Sequence, residues 1–189
     1  AENNLIIPVE NEDGIKVLSL NLMLPDENQP VVWRGAMLSN CVKQFWVEAL
    51  WGELDYLIVD MPPGTGDVSL TVMQSIPLSG IVMVSIPQDM VNMIVSKSIN
   101  MTKMLNVPIL GLVENMSYII CPHCGEKIKI FGGENTTEFL IQNEVALLGE
   151  LPTDVTVSGM ADNGYNNVKA EIAEEFKKIT NNVIEALNS

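Results

Sequence analysis

The sequence predicts an α/β fold, with a mostly parallel sheet covered by helices on both faces, three layers in all. Three observations predict it. Apolar, β-branched runs recur at 55–60, 79–87, 108–115 and 146–152. Segments between them carry apolar residues three and four apart, the helical period. The runs end on Asp60, Pro87, Asn115 and Pro152, residue types that stop a strand and begin a loop. Each crossover is expected to be right-handed. The 189 residues suit a single domain, and 47% hydrophobic content argues against disorder.

The elements follow in order. IKVLSL (15–20) reads as a strand. A helix is expected over 36–51, with Val42, Phe45, Trp46, Ala49 and Leu50 on its apolar face. DYLIVD then reads as a buried strand over 55–60 that delivers Asp60 to a loop. Asp67 is a candidate N-cap for the next helix. Strand 79–87 is followed by a helix that Asp89 would cap. Strand 108–115 ends at Asn115, and a Cys-x-x-Cys segment then interrupts the alternation as an insertion over about 117–132. A helix near 134–146 leads to strand 146–152. In the last helix Ile172, Phe176, Ile179, Val183 and Leu187 step by three and four. The eleven methionines read as adaptable core filling.

Charge and cysteine content narrow the function. A net charge of −14 with only 10 Lys and Arg opposes binding to nucleic acid or to an anionic membrane. No apolar run approaches the roughly 20 residues that cross a bilayer, and the N-terminus lacks the basic start and apolar core of a signal peptide. Three cysteines do not make a disulfide framework, so the expected location is the reducing cytoplasm.

Two stretches carry chemistry. The first is the loop after Asp60. In open α/β sheets ligands bind beyond the carboxyl ends of the strands, where a carboxylate can hold Mg²⁺ through water. Pro62 and Pro63 stiffen the exit, Gly64 and Gly66 let backbone approach a ligand, and Asp67 returns a second carboxylate. Such a loop suits a segment that senses a phosphate. The second is CPHC, residues 121–124. Cys121 and Cys124 have the spacing of a metal knuckle, and Pro122 and Gly125 favour a tight turn. A redox dithiol usually sits at a helix N-terminus, whereas EKIKIFGG after the motif looks like the return of a hairpin. We therefore read the pair as metal-binding. A thiolate site needs four ligands and the chain offers two here, so a second copy across a twofold axis is the simplest completion. Ligand type alone does not separate zinc from iron–sulfur. Cys41 reads as a small buried hydrophobe. His123, the single histidine, lies between the two cysteines, which argues against a Ser-His-Asp triad. Asn115 is either a turn residue or an amide for a purine base.

The chain resembles the Mrp/ApbC family of iron–sulfur cluster carrier ATPases, a MinD-like branch of the P-loop NTPases. The matching segments are WRGAM (33–37), LDYLIVDMPPGTGDVSLT (54–71), SIPQD (85–89), VPILGLVENMSYIICPHCG (107–125) and LLGELP (147–152). The resemblance implies a P-loop NTPase fold and a dimeric ATPase that carries a labile 4Fe–4S cluster between subunits to apoproteins. It implies that Asp60 is the Walker B carboxylate near Mg²⁺ and that Gly64, Thr65, Gly66 and Asp67 belong to switch II. It implies Asn115 and Pro152 at the adenine of ATP, and Cys121 and Cys124 on the cluster.

One departure is large. The family's phosphate loop, GKGGVGK[ST], is absent from the sequence, and WRGA replaces the usual WRGP. That loop supplies the backbone cradle, the lysine and the Mg²⁺ hydroxyl. The expectation is a fold incomplete at its N-terminus, with a strand edge left poorly covered and no ATPase activity from residues 1–189 alone. The expected function of the intact protein is an ATP-dependent iron–sulfur carrier. Two rivals are a non-catalytic metal-binding dimerisation scaffold and a MinD-like partitioning ATPase. The latter would want a basic amphipathic membrane helix, and the C-terminal helix is acidic.

Overall fold

The computed structural model describes residues 5–24, 35–131, 135–154 and 169–189. Trp33 and Arg34, and Gly132 in the expected insertion, lie outside these residues. The chain falls into two compact units, Ala1–Pro77 and Leu78–Ser189.

In the first unit, β1 (Val9–Glu10) and β2 (Lys16–Val17) form an antiparallel hairpin. Asn11 makes its turn, its Oδ1 accepting the N–H groups of Asp13 and Ile15 at 3.0 and 2.8 Å. The strand expected over 15–20 is cut short. Ser19 Oγ accepts the Asn21 N–H at 3.3 Å and opens a 3-10 turn, Leu20–Met23, offering the backbone an alternative to a ladder. Helix α1 (Gly35–Val47) stops before the expected end at 51. Ala49 instead bridges Ile6, and the Leu50 N–H donates to Ile6 O at 2.8 Å. Helix α2 (Asp67–Ser75) packs against α1. Its N-cap is Gly66, with no side-chain cap bond, so Asp67 is the first helical residue and not the cap.

The run 55–60 is the main correction. It forms no ladder among the described residues, and Tyr56 and Ile58 are 61% and 90% exposed. The preference of β-branched residues for strands is mostly a preference for packing against neighbours. Without a neighbour the run stays open, and Asp60 is an exposed residue that no strand delivers.

The second unit holds the sheet. β3 (Ile81–Ser85) pairs in parallel with β4 (Ile109–Ile120), and β4 pairs in parallel with β6 (Leu147–Pro152). Short β5 (Lys127–Lys129) returns antiparallel on the end of β4. Among the described residues β3 pairs with β4 alone. Strand β4 is longer than expected because β5 supplies partners for Tyr118, Ile119 and Ile120. Asn115 is thus not a strand end; it lies inside β4, beside an irregularity where Met116 has φ +52°.

Helix α3 (Asp89–Met104) follows β3, α4 (Asn135–Asn143) precedes β6, and α5 (Ala170–Leu187) closes the chain. The N-cap of α3 is Gln88, one residue before the expected Asp89. On one face of the sheet, Val113 and Leu148 pack against Ile179 of α5, with Val82, Leu151 and Val183 around them. Helices α3 and α4 pack together on the other face, where Ile81, Met83 and Leu112 are buried and Thr136 reaches Glu114. This is the α/β layering the sequence predicts. Gly149 of β6 permits it: a Cβ there would sit 2.5 Å from Ile179 Cγ1, so only a glycine lets α5 close on the strand. Met73 and Met83 fill core as expected, but Met23, Met37, Met93 and Met104 are exposed. Among the described residues no helix is long and apolar enough to cross a membrane.

Candidate functional site

In the first unit the Pro/Gly loop is held at its base and open at its tip. Buried Ser69 of α2 donates to Pro62 O at 3.3 Å. Gly64 adopts φ +81°, which excludes other residues without strain, and a Cβ at Gly64 or Gly66 would meet nothing within 4 Å. The loop therefore has room for a ligand against its backbone. The Asp67 carboxylate lies over Gly35 so closely that a Cβ on residue 35 would overlap Asp67 Oδ2. This sets an anion at the first residue of α1, the end that favours negative charge. Thr71 Oγ1 donates to Asp67 O at 2.7 Å and lies 2.8 Å from Ser39 Oγ, tying α2 to α1. Asp60, Thr65 and Asp67 are all exposed.

In the second unit, β4 carries two predicted features. Asn115 and Pro152 line one cavity of about 340 Å³, at the low end of ligand-sized pockets. Its apolar walls come from Val84 and Val113 of the sheet and from Ile172 and Phe176 of α5. The sequence gives α5 residues only as a core stripe, so their place in the cavity was not legible in it. Asn115 Oδ1 accepts the Met116 N–H at 2.9 Å. Its amide N–H₂ is the natural group to meet an acceptor on a ligand.

Further along, β4 and β5 form the hairpin that holds the cysteines at its tip. The Cys121 N–H donates to Glu126 O and the Gly125 N–H to Cys121 O, both at 2.9 Å, and Gly125 at φ +75° closes the turn. The N–H groups of Cys124 and then His123, followed by the Cys124 thiol, hold the Cys121 thiol below its ordinary pKa. Donors converging on one sulfur favour the thiolate, the form that binds metal. Cys124 is exposed, and its thiol faces Glu126 Oε2 at 3.8 Å. Among the described residues no group of three or more His, Cys, Asp or Glu is placed to hold a metal. Cys41 is buried in α1, and desolvation raises its pKa, as befits an inert core thiol.

One buried group escaped the sequence reading. Glu114 is 2% exposed, and burial first, then the Glu150 charge, push its pKa up, against Lys129, Ser117 and Thr136. The available signal was one carboxylate inside an otherwise apolar run.

The family described as NUBPL iron-transfer P-loop NTPase, within ParA, matches residues 1–188. The iron-sulfur cluster carrier protein of Methanocaldococcus jannaschii is 43% identical over 183 residues, covering 95% of this chain and 63% of that protein. The carrier of Clostridium perfringens is 46% identical over 158 residues, 84% of this chain and 55% of that one. The chain thus spans less than two thirds of either relative. Among solved structures, a nucleotide-binding protein of Archaeoglobus fulgidus in complex with ADP aligns with a TM-score of 0.70 at 36% identity, over 84% of this chain and 60% of that one. The cell division ATPase MinD of Pyrococcus furiosus aligns at 0.56 with 18% identity, over 80% and 59%, which speaks for the fold alone. On the family match, the chain belongs to the NUBPL iron-transfer P-loop NTPases of the ParA group.

Proposed function

We propose that the intact protein is a nucleotide-dependent carrier that holds an iron–sulfur cluster between two copies of the chain and delivers it to apo iron–sulfur proteins in the cytoplasm. The observation that carries this reading is the Cys121/Cys124 turn: two free thiols at a hairpin tip, one of them biased toward thiolate. Two thiolates from each of two chains complete a four-thiolate site of the kind that holds 4Fe–4S. The 38–46% identity to iron-sulfur cluster carrier proteins supports cluster over zinc as the cargo.

The residues also fit a nucleotide. The cavity beside Asn115 and Pro152 would take the base of ATP, with Asn115 offering a donor to a ring nitrogen. Asp60 and Asp67 would hold the water shell of Mg²⁺, and the open backbone of Gly64, Thr65 and Gly66 would follow the phosphates. Bound Mg-ATP would supply a hydrolysable phosphoanhydride. A partitioning ATPase is the weaker reading, since the MinD likeness is one of fold.

Anaerobic reconstitution of the intact protein with iron and sulfide tests the assignment. The expected result is about one 4Fe–4S cluster per two chains, transferable to an apo-ferredoxin. Cys121→Ala or Cys124→Ala should abolish it, and Cys41→Ala should leave it. A full cluster on a monomer, or loss on changing Cys41, would refute the two-plus-two arrangement.

A further inference from the structure

Glu114 and Glu150 stand opposite one another in the parallel pairing of β4 and β6. Like charges so placed repel. In a regular strand Ser117, three residues after Glu114, would point to the opposite face. The register shift between Glu114 and Tyr118, with Met116 at φ +52°, reverses that. Ser117 comes round to the same side, fully buried, and its hydroxyl donates to Glu150 Oε1 at 3.0 Å. From β5, Lys129 Nζ reaches the same oxygen at 3.5 Å. A single carboxylate oxygen therefore joins β4, β5 and β6 at the point where the cysteine hairpin leaves the sheet.

The hairpin needs such a tie. Strand β5 has three residues, all exposed, and three ladder partners. Beyond the ladder it is held by Lys127, stacked 4.1 Å over the Tyr118 ring, and by Lys129 on Glu150. An isolated exposed ion pair would add little. This one is stiffened because its acceptor is also fixed by a buried serine, so little freedom remains to be lost when Lys129 docks.

We propose that Glu150 is a positioning residue for the cysteine turn: seated between Ser117 and Lys129, it fixes the angle at which the hairpin carries Cys121 and Cys124 away from the sheet. The role rests on reading these cysteines as cluster ligands. A cluster shared by two chains needs both thiol pairs aimed at one point, and a swinging hairpin would not aim them.

Charge exchange tests it. In the metal-free intact protein, Glu150→Lys and Lys129→Glu should each speed amide hydrogen exchange over residues 118–130 by about fivefold, a modest local loosening. The double exchange, Lys129→Glu with Glu150→Lys, should bring the rates back to within about twofold of the parent. Amides of Ile81–Ser85 in β3 report whether the sheet stays folded. If β3 unravels in the lysine variant, Glu150→Gln with Lys129→Gln serves instead, each expected to loosen the hairpin and the pair expected to be no worse than either alone. Unchanged exchange in the single variants, no recovery in the charge-exchanged double, or additive loosening in the glutamine pair, would overturn the proposal. A parallel titration with Co(II) reads the thiolate-to-metal absorption. Its absence from the parent protein would count against the carrier reading, while the exchange rates would still decide whether Glu150 positions the hairpin. With that absorption present, weaker Co(II) binding in the single variants and recovery in the double are expected, and equal binding in all would overturn the functional half of the role.

Discussion

Glu114 shows how far one residue's environment departs from its local sequence. Its neighbours on the chain are apolar or amide, yet the groups that face it come from four elements: Glu150 of β6, Lys129 of β5, Ser117 of β4 and Thr136 of α4. The folded state favours its protonated form. An acid with a raised pKa binds more protons folded than unfolded, so its contribution to stability is largest in acid and is lost as pH rises through the raised value. Glu114→Gln, which keeps the shape and a donor but cannot ionise, should flatten that loss. Thermal unfolding from pH 4 to 8 checks it: the variant should gain on the parent as pH rises above the ordinary glutamate range of about 4.3. A variant that loses ground to the parent as pH rises would contradict the assignment. Asn115, Pro152, Cys121 and Cys124 were legible in the sequence because each belongs to a short motif. Glu114 was not, because its partner lies 36 residues away and only strand register brings the two together.

At the scale of elements, the strands and helices of the second unit were legible because each has a period or a turn that punctuates it. The failures share one cause. The runs 15–20 and 55–60 have strand composition, but pairing depends on a partner that composition does not reveal. The longer reach of β4 was hidden in the same way, since β5 supplies the pairing beyond Asn115. Element packing also makes a prediction. Gly149→Ala would drive a methyl into Ile179 Cγ1 and should cost about 1–3 kcal/mol, as overpacking does. Truncating the neighbour should relieve it, so Gly149→Ala with Ile179→Ala should lose less than the two single losses added. Urea denaturation of the four proteins measures the cycle, and strict additivity would mean that α5 does not close on β6 at this point.

For the whole molecule, 24 acidic against 10 basic side chains give a surface that carries its own solubility. Charge of this sign opposes nucleic acid as a partner, but it says nothing about the fold. The two-unit division was not legible: no linker composition marks Pro77 and Leu78, and the boundary reflects where contacts concentrate. In the intact protein Asp60→Asn should lower ATP turnover by about 10²-fold or more, as when electrostatic preorganisation at a phosphoryl site is damaged. Wild-type turnover would reduce Asp60 to a turn residue.

The open run between Asp55 and Asp60 has a consequence for aggregation. Tyr56, Leu57, Ile58 and Val59 are apolar, favour cross-β stacking and are exposed, with no partner strand among the described residues. A carboxylate stands at each end, the arrangement by which sequences keep a sticky segment from templating onto its own copies. Asp60 would then act twice, as a metal carboxylate and as a gatekeeper. Light scattering during incubation of the 189-residue polypeptide separates the roles: Asp55→Asn and Asp60→Asn should shorten the lag to a similar degree, and Ile58→Lys should lengthen it. In the intact protein only Asp60→Asn should also depress turnover per soluble molecule.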